Sequence, residues 1–204
     1  MKEGVVNVKK VFDNKLNTIK WLGIFTMTID HIGFFLLPEL IFLRIIGRIA
    51  FPCFLYSTIE GTKKTSHYVH YISRLFLLGL LSIPVTTNAI NVLFLLGLFS
   101  LSIKYKRFAP IFGLLSVFAE YSIYGFLLGW CIYWLKEYNW KQGTVFFLIT
   151  QLLTGVSIQF FSLLPLPLFI TDKGFNLPKL PRYFFYFYYP LHQLALIIIA
   201  MRIY

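Results

Sequence analysis

The chain has 204 residues, 58% of them hydrophobic and only 13% charged, with a mean hydropathy of +0.72. Ordinary soluble domains carry about 25% charged residues, so this sequence lacks the polar surface to cover a globule in water. Its net charge of +11 would suggest nucleic acid, but the basic residues fall in the gaps between apolar segments. No basic face with interleaved aromatics stands on a polar module, and a nucleic-acid partner is excluded.

Read in chain order, residues Met1–Lys20 are charged and too polar for the apolar core of a signal peptide, so the first apolar stretch is expected to be retained. Eight apolar segments follow: Lys20–Pro38, Leu40–Ile59, Ile72–Pro84, Val92–Ile103, Phe108–Ala119, Tyr121–Leu135, Thr144–Leu164 and Tyr183–Met201. A helical span needs about 20 residues. Several segments are shorter, which leaves a range of seven to nine spans, with eight preferred. The 23 Phe and 13 Tyr suit a lipid-facing surface with interfacial aromatic belts. The expected fold is therefore all-α: one polytopic transmembrane bundle over residues 1–204.

Loop charges give the expected orientation. Lys2, Lys9, Lys10, Lys15 and Lys20 precede the first span. Lys63, Lys64 and Arg74 mark the second connection, Lys104, Lys106 and Arg107 the fourth, and Lys136 and Lys141 the sixth. The first, third and fifth connections carry no Lys or Arg. This alternation predicts both termini in the cytoplasm. One connection disagrees: Pro165–Arg182, the longest and proline-rich, should lie outside yet holds Lys173, Lys179 and Arg182. It reads as a lid or a substrate-facing loop. No internal repeat and no low-complexity tract is present.

An ionisable group within a span costs roughly 2.5 kcal/mol or more and calls for a reason. The first span holds Asp30 and His31; the second holds Arg44 and Arg48, four apart and so on one helix face. Only Pro38-Glu39 separates the two spans, which forces antiparallel neighbours and brings these groups to a similar depth. An Asp–Arg pair keeps both partners charged, and a structural clamp between two helices is the plain alternative. His31, beside a carboxylate and facing two guanidinium groups, has the surroundings of a proton acceptor. At the other end of the second span, Glu60 is either a solvated helix end or part of a rim. There Lys63, Lys64 and Arg74 would receive an anionic cosubstrate such as a nucleotide phosphate.

His67 and His70 read as interfacial residues, and no metal is expected. Cys53 and Cys131 both sit in apolar segments and read as packing residues. Asn91 opens the fourth span as a helix cap. In the last span, Phe184–Tyr189 forms an aromatic belt, Pro190 falls in the first turns, and His192 lies at a depth near that of His31, as a candidate catalytic residue or else a hydrogen-bonded structural one.

At these residues the sequence resembles the TraX family, membrane proteins associated with conjugative pilin N-acetylation, and more distantly the transmembrane acyltransferases. The resemblance rests on Asp30-His31-Ile32-Gly33, Leu43–Pro52, Glu60-Gly61, Arg74-Leu75, Asn91–Phe94 and Tyr186–His192. In the fifth connection this chain has Glu120-Tyr121-Ser122 where the family has an acidic Asp-Tyr-Gly. The resemblance implies a multi-pass protein of the bacterial cytoplasmic membrane. It would move an acetyl group from cytoplasmic acetyl-CoA to an amino or hydroxyl acceptor outside, on a peptide such as a pilin N-terminus, a glycan or a lipid. It implies His31 as the base, with Asp30 orienting its ring, Arg44 or Arg48 holding the oxyanion, and Arg74, Lys63 and Lys64 on CoA phosphates. Two other classes fit the residues: a small transporter with a proton or anion relay through Asp30, His31 and the arginines, and a pilus-assembly partner without chemistry.

Overall fold

The computed structural model describes residues 13–86, 90–153, 157–181 and 183–203, and within them only helices and turns occur. The first helix, α1 (Asn14–Phe35), is started by Asp13, whose carboxylate accepts from the Leu16 N–H and so satisfies a free amide of the first turn. Its 22 residues span about 33 Å. A turn with Pro38 and Glu39 at its centre, closed by the Leu40 N–H on the Leu37 carbonyl, reverses the chain into α2 (Ile41–Gly47). From there α3 (Ala50–Lys64) continues in the same direction. The two are separated at Arg48-Ile49, where tighter bonds run to Ile45 and Ile46. Pro52 accounts for the break: it has no N–H for the Arg48 carbonyl, and its ring crowds that oxygen. The predicted second span is thus two helices, with Arg48 at their junction.

The chain continues through α4 (Tyr68–Ser82), α5 (Val92–Lys104), the short α6 (Ala109–Leu115), α7 (Ser122–Glu137), α8 (Trp140–Leu153), the short α9 (Leu166–Ile170) and α10 (Phe184–Ile203). Asn91 caps α5 as expected, accepting from the Leu93 N–H while donating to the Gly79 carbonyl. Wholly enclosed Ile19, Leu55, Ile59, Leu95, Phe99, Leu128 and Ile132 form the core between α1, α3, α5 and α7. The exterior is apolar as well: Phe42, Phe118, Leu153 and Met201 are all more than half exposed. Soluble monomers rarely leave so much apolar surface uncovered. Three helical stretches, Ile41–Lys64, Tyr68–Val85 and Phe184–Ile203, are long and apolar enough to cross a membrane. Helix α1 has the length, but Lys20, Asp30 and His31 lower its hydropathy.

The structure departs from the expected topology in its last third. The predicted seventh span, Thr144–Leu164, is two opposed pieces. Helix α8 leads away from the end of the bundle that holds Lys63, Lys64 and Lys136. A 3₁₀ segment, Ile158–Leu163, and α9 then return to it, tied to α8 by Gln151 donating to Ser162. Phe169 of α9 stacks on Tyr56 with centroids 5.0 Å apart, and its carbonyl accepts from Lys15. The loop after α9 is therefore not opposite the other basic segments but among them. Asn17 donates to the Leu177 and Pro178 carbonyls, and Gly174 lies so close to the Lys15 backbone that no Cβ would fit. Lys173 and Lys179 join the basic end, which removes the conflict in the charge pattern. Lys2, Lys9, Lys10 and Arg182 lie outside the described residues.

Helix α10 then runs parallel to α1. Lys20 lies over the Phe185 ring, Thr28 meets the Tyr188 hydroxyl at 2.6 Å, and His31 meets His192. Residues 14 and 203 consequently sit at opposite ends of the bundle, contrary to the expectation of both termini on one side. Counting the broken return through α9 as a traverse, the described residues cross the bundle an odd number of times, within the expected range of seven to nine but not the preferred eight.

Candidate functional site

The residues singled out in the first two spans converge at the end remote from the lysines. Asp30 is 8% exposed, and its two carboxylate oxygens are divided between two arginines. Arg44 reaches Oδ2 at 2.8 Å and Arg48 reaches Oδ1 at 2.9 Å. Arg44 also donates to the Asp30 carbonyl at 3.1 Å. Such close approach depends on Gly47, since a Cβ there would lie inside the Asp30 carboxylate. The clamp reading of these residues is thus realised in geometry, with both guanidiniums rather than one.

Asp30 does not orient His31, as the resemblance had implied. The His31 ring is held by His192, with Nδ1 of the first 2.6 Å from Nε2 of the second. His192 is itself 2.6 Å from the Tyr188 carbonyl through Nδ1. The rings of Phe184, Tyr188 and His192 stack in succession along α10, and His31 meets the last of them edge to edge and nearly coplanar. One turn of α10 therefore positions the ring that the first span contributes.

A cavity of about 310 Å³ opens beside this cluster, lined by Asp30, His31, Arg44 and Arg48 together with Glu120 and Tyr121. The last two belong to the fifth connection, where neither stands out in the sequence as a site residue. Glu120 accepts from the Val92 N–H at 3.1 Å. Tyr121 stacks on Phe51 with centroids 4.0 Å apart and planes 2° from parallel. Tyr121 and Ser122 hold φ of 64° and 49°, the left-handed region that costs a non-glycine residue roughly 1–2 kcal/mol. A Gly at position 122, as the resemblance implies for the family, would adopt that backbone freely.

A second, more apolar cavity of about 180 Å³ lies toward the basic end. It shares Met27, Phe54, Val92 and Tyr189 with the first, so these side chains form a wall between the two. Its rim carries Lys20, and Tyr186, over whose ring Arg74 lies at 5.3 Å. In the sequence Lys20 stands out only as a topology charge. Among the described residues, neither Lys20 nor Arg74 forms an ion pair.

The other predicted rim residues are neutralised. Glu60 binds Lys64 and Lys136, Glu137 binds Lys63 and Lys136, and Asp13 binds Lys64. Partial burial pushes the Asp13 carboxyl up, but the Leu16 N–H and Lys64 outweigh it and hold it below its ordinary value. Glu60, Lys63 and Lys64 thus knit α1, α3 and α7 together at the basic end. His67 and His70 meet edge to face at 5.9 Å, and Cys53 and Cys131 are free and buried.

An all-helical bundle with an apolar exterior, membrane-length helices and a buried polar cluster at one end defines a membrane protein with an internal site. The chain belongs to the TraX family: the model described as "TraX protein" matches residues 15–200. An uncharacterized protein of Rickettsia prowazekii (strain Madrid E) is 53% identical over 47 residues, which cover 22% of this chain and 19% of that protein. The match spans about a fifth of that relative's length. No solved structure matches the chain.

Removing the Asp30 charge leaves the buried Arg48 guanidinium and the partly buried Arg44 without their carboxylate, a change that costs about 3–5 kcal/mol. Asp30→Asn is expected to lower the thermal unfolding midpoint in detergent by several degrees. Gly47→Ala is expected to do the same by displacing the carboxylate. A midpoint unchanged in both variants would show that the cluster holds nothing together.

Proposed function

We propose that this protein is a multi-pass acetyltransferase of the bacterial cytoplasmic membrane. It would transfer an acetyl group from cytoplasmic acetyl-CoA to an amino or hydroxyl group presented at the outer side, on a pilin-like peptide, a glycan or a lipid. The observation that carries the reading is His31: one ring nitrogen is engaged by His192, while the ring lines the same 310 Å³ cavity as Arg44 and Arg48. A base held by a second group, beside cations available to a developing negative charge, is the arrangement that acyl transfer requires.

In this scheme the basic end faces the cytoplasm, in keeping with the positive-inside rule. CoA itself cannot enter lipid, so its phosphates stay at that end while the pantetheine arm occupies the apolar cavity. The wall of Met27, Phe54, Val92 and Tyr189 must move aside for the thioester to reach His31. The acceptor, entering from the opposite end, loses a proton to His31 as it attacks the thioester carbonyl. Arg44 or Arg48 steadies the resulting oxyanion, and Asp30 keeps the two arginines in place. Because Lys63 and Lys64 already have carboxylate partners, the phosphates are assigned to Arg74 and Lys20, and the role of Glu60 becomes structural.

Purified protein incubated with labelled acetyl-CoA and candidate acceptors tests this reading. His31→Ala is expected to lose roughly 10²-fold or more in turnover, and equal turnover in both proteins would remove His31 from the mechanism. Binding of CoA separates the rim assignments. Lys20→Gln and Arg74→Gln are each expected to weaken it about tenfold, the effect of losing one charged hydrogen bond. Lys63→Gln should leave it nearly unchanged, and the opposite ranking would return the phosphates to Lys63 and Lys64. The orientation is tested independently. A reporter enzyme active only outside the cytoplasm should be active when fused after Tyr204 and silent when inserted near Lys173; the reverse pattern would invert the scheme.

A further inference from the structure

The hydrogen-bond chain through the two histidines has a direction, because its last member can only accept. The Tyr188 carbonyl oxygen carries lone pairs and no hydrogen, so His192 Nδ1, 2.6 Å away, must hold the hydrogen of that bond. A neutral imidazole has one N–H; in the neutral ring His192 Nε2 is then bare and accepts. The hydrogen between the two rings must come from His31 Nδ1, and this leaves His31 Nε2 with a free lone pair. That nitrogen has no hydrogen-bond partner among the described residues. No buried side-chain nitrogen or oxygen among them lacks a partner, so His31 Nε2 is open to the cavity that His31 lines.

We infer that the main-chain carbonyl of Tyr188 sets the tautomers of both rings, and that His192 is a positioning residue which makes His31 Nε2 the base and takes up its second proton. The tautomer assignment stands on the hydrogen-bond geometry with both rings neutral; the transfer step below rests on the acetyltransferase reading. As the acceptor's N–H or O–H bond breaks, its proton joins His31 Nε2 and the His31 Nδ1 proton passes to His192 Nε2. The acceptor atom bonds to the thioester carbonyl carbon. His31 stays neutral with its hydrogen moved from one nitrogen to the other. The positive charge rests on His192, whose Nδ1–H remains on the Tyr188 carbonyl. When the carbon–sulfur bond breaks, His31 Nε2 gives its proton to the departing thiolate and His192 returns one to His31 Nδ1. The pair is restored, with one thioester and one acceptor converted to one acetylated acceptor and one thiol. Passing the charge to His192 moves it away from Arg44 and Arg48, which favours the step.

The test uses the full chain in nanodiscs, with ¹⁵N-labelled histidine and His67→Gln and His70→Gln present so that two rings remain. Ring ¹⁵N shifts and ring ¹⁵N–¹H correlations at neutral pH should show both rings neutral, each with a protonated Nδ1 and a bare Nε2. A hydrogen on His31 Nε2, or a charged ring on either residue, would overturn the assignment. In His192→Gln the side-chain carbonyl accepts from His31 Nδ1 but holds no proton in return. That variant should keep the His31 tautomer yet lose about 10²-fold in transfer, whereas wild-type turnover would overturn the relay. Should the shifts appear as expected in a protein that transfers no acetyl group to any acceptor, the acetyltransferase reading falls while the tautomer assignment holds.

Discussion

The interaction on which the rest of this structure depends is the sharing of one buried carboxylate between two guanidinium groups. Charges taken out of water must be compensated by close, well-directed partners, and Asp30 satisfies this by giving one oxygen to Arg44 and the other to Arg48. The geometry draws α1 and α2 so near that position 47 tolerates no side chain beyond hydrogen. The break after Gly47 lies at the same place. The helix interruption demanded by Pro52 falls where Arg48 turns from α2 toward Asp30, so the irregular backbone and the ion triad share one place.

That arrangement leaves His31 without a carboxylate, and the last helix supplies its partner instead. Helix α10 lies parallel to α1 and brings His192 to within 2.6 Å of His31. The parallel course in turn requires the chain to return to the basic end before α10 begins. The 3₁₀ segment and α9 make that return, and hydrogen bonds from Lys15 to α9 and from Asn17 to the following loop fasten both to the start of α1. A loop far from the site in space is therefore what permits the site to assemble.

The two ends of the bundle manage charge differently. At the basic end, three carboxylates and three lysines are interleaved across α1, α3 and α7, which joins helices and neutralises those six groups. At the other end the polar groups border open volume. Between the two, Met27, Phe54, Val92 and Tyr189 separate an apolar cavity from a polar one. A linear reading marks Lys63 and Lys64 as equivalent to Arg74, because charge is visible in sequence and its neutralisation by residues about 50 and 75 positions away is not.

Taken by itself, the sequence determined the class of the protein and the residues that matter most. Low charge and long apolar runs require a helical membrane protein, since backbone polar groups in lipid must be satisfied within the segment. The cost of burying Asp30, His31, Arg44 and Arg48 made them stand out, and Pro38-Glu39 dictated that they meet. The Asn91 cap was legible because it is local, and so were the family's motifs. Only the tertiary structure decided that His192, not Asp30, holds the His31 ring, and that Glu120 and Tyr121 close the cavity. It also decided that the two ends of the described chain lie at opposite ends of the bundle. Those facts rest on contacts between segments far apart in the chain and on the direction of a broken, short return. Neither periodicity nor charge pattern encodes them, because both report which face or end of a helix is polar and not which distant partner it meets.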